Sequence, residues 1–480
     1  MKENYIPQEE RKKILLLSDD IRTTSGIATM AREIVLGTCH HYNWVNLGAT
    51  IQNPDEGKKL DLSGDSNNFA QITDANVILY PSSGYGTIEK IRDLLQTEKP
   101  DAIMLFTDPR YWEWLWMHER EIRSQVPILY LNIWDSLPYP LYNRGYYESC
   151  DLLMAISKQT ENINRSVLGE AANDKVIGYV PHGINENVFF SINEGDEKWK
   201  ELQEFKKSLF GDKEYEFILM FNSRNIRRKS FPDTLLAWKL FVDGLPEDKK
   251  DKVAFIAHTQ PVDENGTDIP AVIEMIWGKT PPNVFITGLN RFIPEQMNLL
   301  YNCADAGILI SSNEGWGLSL TEAMMCGKPI IANVTGGMQD QMRFEDENGD
   351  WVKFTEEFGS NHFGKYKTCG EWAFPVFPNN MSLIGSVPTP YIFDDRADFR
   401  DAATQIKAIY DLTPEERKRL GRSARKWTLS DEAMMTSTNM GKNVIKYIDQ
   451  TFDTWIPRKS HDFIKIEELS AKQNKTVISL

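Results

Sequence analysis

Short apolar runs separated by longer stretches of mixed polarity recur along the chain. Those at 12–18, 43–47, 76–80, 101–106, 127–133, 151–156 and 175–180 read as buried parallel strands. Helical segments are predicted between several of them, the first over 26–36 and another ending near Leu168. A second series follows, with strands predicted at 216–221, 252–257, 283–287, 306–310 and 329–332 and helices at 232–242, 293–303 and 318–326. Pro232 suits a helical first turn, where its missing N–H costs nothing. Strand-helix alternation with short connections specifies α/β architecture with doubly wound parallel sheets.

The pattern changes at three places. Residues 181–185 (P-H-G-I-N) form a turn between the two series, and the charged stretch 193–213 reads as a helical lead into the second. From 343 to 395 the periodicity breaks into an aromatic, Gly- and Pro-rich insertion, and long ordered loops of this kind are often functional. Helices are predicted again at 396–410, 414–427 and 431–448, followed by a polar tail over 459–480. A length of 480 residues exceeds a single core. The expected division is 1–190 and 191–439, with a last helix at about 440–458 returning to the first domain.

Hydrophobic and charged contents of 41% and 26% are ordinary for a soluble chain. The N-terminus is polar and no run reaches membrane-span length, so a cytoplasmic location is expected. Five scattered cysteines without C-x-x-C spacing argue against both a disulfide framework and a zinc site. A net charge of −15 disfavours a large phosphate-backbone footprint, although a basic cleft can sit on an acidic body.

The most chemically informative stretch is 304–337. A strand meets the turn Glu314-Gly315-Trp316-Gly317, a helix begins at Leu318, Gly327 ends it, and a second strand runs into Gly336-Gly337. A helix N-terminus at the carboxyl end of a parallel sheet offers unpaired N–H groups to an anion such as a diphosphate. Glu314 and Glu322, spaced E-x7-E, would repel phosphate, and so suit sugar hydroxyls as hydrogen-bond acceptors. Upstream, Arg224 and Lys229 lie in a loop at a strand's carboxyl end, where cations can clamp a diphosphate; Arg227 and Arg228 add charge of undetermined orientation.

E-G-W-G-L-S-L-T-E-A-M-M-C-G-K-P-I-I-A resembles the signature of the retaining, nucleotide-sugar-dependent "group 1" glycosyltransferases of GT-B architecture. The resemblance extends from about residue 12 to 340. It implies two Rossmann-like domains facing a cleft, acceptor mainly on the first and donor on the second, with the C-terminal helix crossing back. It also implies that Glu314 contacts the donor sugar and Glu322 the ribose, and that Arg224-x4-Lys229 matches the family's R-x4-K element. Gly288-Leu289 falls where the family's backbone meets the base, and Gly315, Trp316, Gly317 and Leu318 where the donor is held. Gly26 matches one glycine of the family's usual pair, Ser25 standing in place of the other. The donor is a nucleotide sugar, a UDP-sugar being favoured, used as co-substrate without an obligatory cofactor. No D-x-D lies in a loop placed to hold a metal against a diphosphate, so no metal is expected.

Many relatives carry a His after the strand ending at Ile133, where this chain has W-D-S-L-P-Y-P; Asp135 is therefore an acceptor-side candidate. The aromatic stretch D-P-R-Y-W-E-W-L-W-M adds Arg110 and Trp112, which could stack on a sugar or simply pack. The expected acceptor is a sugar-containing or other hydroxyl compound. Competing readings are a nucleotide-sugar epimerase, a transferase acting on hydroxymethylated bases of DNA, and a non-catalytic nucleotide-sugar-binding scaffold. Oligomeric state is not encoded legibly.

Overall fold

A computed structural model describes residues 4–289, 292–355 and 358–459, so all of the predicted tail beyond residue 459 lies outside the described residues. The first strand series forms β1 (Lys13–Asp19), β2 (Asn43–Thr50), β3 (Leu60–Asp61), β4 (Val77–Ser83), β5 (Ala102–Leu105), β6 (Ile128–Asn132), β7 (Leu152–Ala155) and β8 (Val176–Tyr179). They make one eight-stranded sheet in the order β3-β4-β2-β1-β5-β6-β7-β8, parallel except for the short edge strand β3.

Period-two alternation explains why this sheet is covered twice. Ile14 and Leu16 of β1 enter one core, while Leu15 and Leu17 enter another on the opposite face with Ile91, Leu94 and Trp112. All four are fully buried, each such side chain stabilising the fold by roughly 1.5–3 kcal/mol.

The second series gives β9 (Phe217–Asn222), β10 (Val253–His258), β11 (Val284–Ile286), β12 (Ala306–Leu309), β13 (Ile330–Asn333) and β14 (Ala373–Val376). This six-stranded sheet runs β11-β10-β9-β12-β13-β14 and is parallel throughout. The helices that matter below are α1 (Gly26–Thr38), α2 (Lys158–Leu168), α3 (Phe231–Asp243), α4 (Pro294–Cys303), α5 (Leu318–Met325), α6 (Met338–Met342), α7 (Phe399–Tyr410), α8 (Pro414–Thr428) and α9 (Ser437–Thr454). Two facing α/β sheets joined at a cleft are the architecture the sequence predicts.

Three expectations change. The insertion is not a loop throughout: β14 extends the second sheet, and β15 (Pro378–Ser386) pairs antiparallel with β16 (Thr389–Ala397) as a hairpin. Alternation is absent there because most residues of β15 are exposed, so neither face demands an apolar row. The lead helix is shorter than 193–213, spanning Trp199–Phe210. The last helix starts at Ser437 rather than 431, capped by the Thr436 hydroxyl accepting from the Asn439 amide at 3.0 Å.

That last helix, α9, lies on the first sheet's side of the molecule. Its Asp449 accepts from the Tyr42 hydroxyl at 2.6 Å and pairs with His41 Nε2 at 3.0 Å. The chain therefore passes between the halves twice, and the two crossings are hydrogen-bonded to each other. Ile184 N–H donates to Met435 O at 3.0 Å, and Ser437 N–H donates to Ile184 O at 3.0 Å.

Candidate active site

The centre of the cleft is built by the turn after β12. Gly317 adopts φ +87° and offers no side chain to cap α5, leaving the helix's first N–H groups for a ligand to satisfy. The turn is held tightly from behind: a Cβ on Gly336 would come 2.1 Å from Glu314 O, and one on Gly337 2.1 Å from Gly315 O. In front, a Cβ on Gly315 would meet Ile133 O at 3.2 Å and Asp135 Cβ at 3.7 Å, so this turn touches the carboxyl end of β6 across the cleft. Gly26 opens α1 on the facing side, its Cβ direction 3.8 Å from Leu318 Cδ1.

Glu314 is buried and receives two cations. Arg228 Nη1 donates to Glu314 Oε2 at 2.9 Å, and Lys229 Nζ forms a short ion pair with the same oxygen. A turn ending at Ser230 in the left-handed region (φ 51°) brings adjacent Arg228 and Lys229 to one carboxylate just before α3. Burial pushes the Glu314 carboxyl up, but Arg228 and Lys229 more than offset it and hold the group well below the usual carboxylate range. Burial, opposed by Glu314 and reinforced by Arg228, lowers Lys229 to about 8.

Asp135 faces this cluster from the first sheet. Burial raises its carboxyl, Arg228 lowers it and Glu314 raises it, while Ser136 Oγ donates to it at 2.8 Å. Glu322, one turn into α5, accepts from the Tyr301 hydroxyl of α4 at 2.5 Å and from Asn222 Nδ2 at 3.3 Å. Burial raises its carboxyl against those two bonds. Beneath the turn, His182 lies between Phe106 and Trp316, at ring centroid distances of 5.8 and 6.4 Å. Burial lowers its imidazole to about 3, so it is neutral.

The structure thus gathers Lys229, Glu314, Gly315, Gly317, Leu318 and Glu322 with Gly26 and Asp135 across the cleft. It disposes others differently. Arg224 is not joined to Glu314: its side chain is 61% exposed and donates to Asp263 at 2.7 Å, while Arg228 occupies the inner position. Gly288 packs against the Thr259 carbonyl, but the Leu289 side chain is 80% exposed. Trp316 is buried, its Nε1 donating to Thr321 Oγ1 at 3.0 Å, so only its backbone can reach a ligand.

Trp112 is fully buried in the first sheet's second core and cannot stack on an acceptor; its neighbour Tyr111 is exposed instead. Arg110 is chelated by Asp108, Nε to Oδ1 at 2.9 Å, and donates to the hairpin at Pro388 O, 3.0 Å away. The roles of Arg228, Tyr301 and Asn222 were not legible in the sequence, because none stands in a spacing that distinguishes it from a solvated or core residue. No group of three or more His, Cys, Asp or Glu among the described residues could hold a metal ion. No helix among them is long and apolar enough to cross a membrane.

Comparison with known proteins agrees with this geometry. Residues 280–358, which contain the Glu314 turn and most of α5's surroundings, match the family model described as glycosyl transferases group 1. Among solved structures, Anabaena HepE in complex with UDP and glucose aligns with a TM-score of 0.61 at 14% identity, covering 92% of this chain and 100% of that one. Sucrose-phosphate synthase from Thermosynechococcus elongatus aligns with a TM-score of 0.63 at 15% identity, again over 92% and 100%. An E. coli trehalose-6-phosphate structure bound with UDP-2-fluoro glucose gives 0.58 at 12% identity, over 93% and 100%. At these identities the likeness is one of fold, and the fold is GT-B. A search of curated proteins finds no match.

Proposed function

We propose that the chain is a metal-independent glycosyltransferase that moves a sugar, with retention at the anomeric carbon, from a nucleotide diphosphate sugar to a hydroxyl acceptor. A UDP-sugar is the favoured donor, since two of the similar structures hold UDP or a UDP-sugar. The observation that carries the reading is the convergence of Lys229, Arg228 and the uncapped start of α5 on the Glu314 turn, directly opposite Asp135.

In the proposed reaction the acceptor O–H attacks the anomeric carbon as the bond from that carbon to the diphosphate oxygen breaks. The electron pair leaves with the diphosphate, and the acceptor proton passes to that departing oxygen on the same face. Charge accumulates on the leaving group, and preorganised donors there are each worth ~3–4 kcal/mol of barrier. Lys229, Arg228 and the α5 N-terminus supply them, and Arg224 joins from the rim once diphosphate competes with Asp263. Glu314 exchanges one of its cations for a donor-sugar hydroxyl, and Glu322, steadied by Tyr301 and Asn222, accepts from the ribose. Residues 1–190 with the last helix from about 440 to 458 form the acceptor domain and 191–439 the donor domain. Among the described residues none of the five cysteines is in a disulfide, which fits a reducing, cytoplasmic setting.

The test is the melting temperature with UDP, GDP, ADP and their common sugar conjugates, on wild type and Lys229→Ala. Stabilisation by the uridine ligands, lost in the variant, is expected. No stabilisation by any nucleotide would sink the assignment.

A further inference from the structure

The acceptor side of the cleft is lined by residues from the ends of several first-sheet strands, with the hairpin of the other half beside them. Tyr85, after β4, stacks on Tyr111 with ring centroids 4.6 Å apart and planes 17° from parallel. Tyr111 is 52% exposed, so its outer face is open. Asp108, after β5, caps the turn that carries Tyr111 and accepts from the Tyr111 N–H through its carbonyl at 3.3 Å. Burial, then the charges of Asp19 at the end of β1, Tyr111 and Asp108, raise the Tyr85 hydroxyl to about 12. Asp19 also accepts from Ser25 Oγ at 2.5 Å, immediately before Gly26, and so lies at the cleft mouth.

The hairpin packs beside the platform, on Arg110 of the same 3-10 turn that carries Tyr111. Arg110 donates to Pro388 O and to the Thr389 hydroxyl. The Tyr142 hydroxyl donates to Tyr391 O at 3.0 Å, and Phe393 N–H donates to Leu137 O at 2.5 Å. At its base the hairpin is tied to the donor turn, where Asn313 Nδ2 donates to Phe393 O and Asp395 N–H to Ser312 O at 3.0 Å. The element that touches the acceptor platform is therefore rooted next to Glu314.

The cations of this rim are already neutralised. Arg110 is held by Asp108, and Arg22 by Asp20 at 2.7 Å and Asp55 at 2.8 Å. A phosphate bound here would have to displace Asp108 from Arg110, or both Asp20 and Asp55 from Arg22, leaving those carboxylates unpaired beside it. An open aromatic face beside cations already paired with carboxylates instead suits the apolar face and hydroxyls of an uncharged sugar ring.

Resting on the glycosyltransferase reading above, we propose that the acceptor is an uncharged sugar ring, free or as the end of a glycan or glycoside and not a sugar phosphate, stacked on Tyr111 beside the β15–β16 hairpin. The test is saturation-transfer NMR on the UDP-loaded protein with methyl glucoside, methyl galactoside, methyl mannoside and glucose 6-phosphate. At least one methyl glycoside is expected to bind more tightly than the phosphate. Tyr111→Ala should weaken it about tenfold, with Tyr111→Phe close to wild type, because stacking needs the ring and not the hydroxyl. Tighter binding of the phosphate, no signal from any methyl glycoside, or an unchanged affinity in Tyr111→Ala overturns the proposal. Stabilisation by UDP, GDP and ADP is measured on the same samples: its presence with any of them leaves the donor-site reading standing when the acceptor proposal falls, and its absence with all of them removes the donor-site reading itself.

Discussion

The two walls of the cleft are made in different ways. On the proposed donor side one continuous stretch, from the end of β12 through α5 to Gly336-Gly337, supplies the turn, two carboxylates and a helix terminus, and adjacent Arg228 and Lys229 complete it. On the proposed acceptor side Asp19, Tyr85, Asp108 with Tyr111, and Asp135 come from four strand ends, and the neighbouring hairpin is borrowed from the opposite half. A site written in one segment has its geometry fixed by local backbone and buried ion pairs, whereas one assembled from many segments can be retuned residue by residue.

The largest effect that would test this contrast is at Lys229. Lys229→Ala should lower kcat/KM for the donor by about 10²–10³-fold, the usual loss for one preorganised charge; a drop of less than threefold in steady-state kinetics would show that the donor wall is not built around this ion pair. Next comes Arg224, the exposed member of the basic loop. Arg224→Ala should raise donor KM about tenfold with a smaller change in kcat, because its charge must first be released from Asp263. Asp263→Ala should move KM the opposite way, and equal KM values in all three proteins would remove Arg224 from the site.

Protonation sharpens the same contrast. Lys229, lowered to about 8, is charged at neutral pH and loses its proton as pH rises through that value. Donor kcat/KM should therefore fall about tenfold per pH unit above ~8, while Tyr111 variants keep the same profile.

A last effect, on stability and not on turnover, concerns the contact between the halves. Asp340 of α6 accepts from Lys158 N–H of α2 at 2.9 Å and from the Tyr179 hydroxyl at 3.0 Å. Burial raises its carboxyl to about 6, against the opposing effect of Lys158. Its folded value lies above the unfolded one, so this group's contribution is fully present below about pH 4 and is lost as pH rises through about 6. Over that window wild type should lose on the order of 1–3 kcal/mol relative to Asp340→Asn, read as the pH dependence of their melting temperatures.

Both sheets were legible because their strands are buried on two faces and leave continuous apolar runs, as in β1 and β9. The Glu314 turn was legible because its glycines are forced by close approach of backbone. The choice between Arg224 and Arg228 was not, since it depends on the left-handed turn at Ser230, a position whose residue type does not announce it. Nor was the choice between Trp112 and its neighbour: adjacent aromatics in a 3-10 turn point about 120° apart, and only the core decides which is covered. The hairpin went unread because β15 is largely exposed and carries no alternation.

The paired crossings at Ile184 and Met435–Ser437 make the molecule a door hung on two adjacent pins. Two linked chains side by side resist twisting and sliding, leaving mainly one swing, so the walls would part and meet again along the same arc. Cutting one pin, by ending the chain before Ser437, would strip α9 from the first half and leave the second half on a swivel, free to present the Glu314 turn to the acceptor wall in orientations that never align.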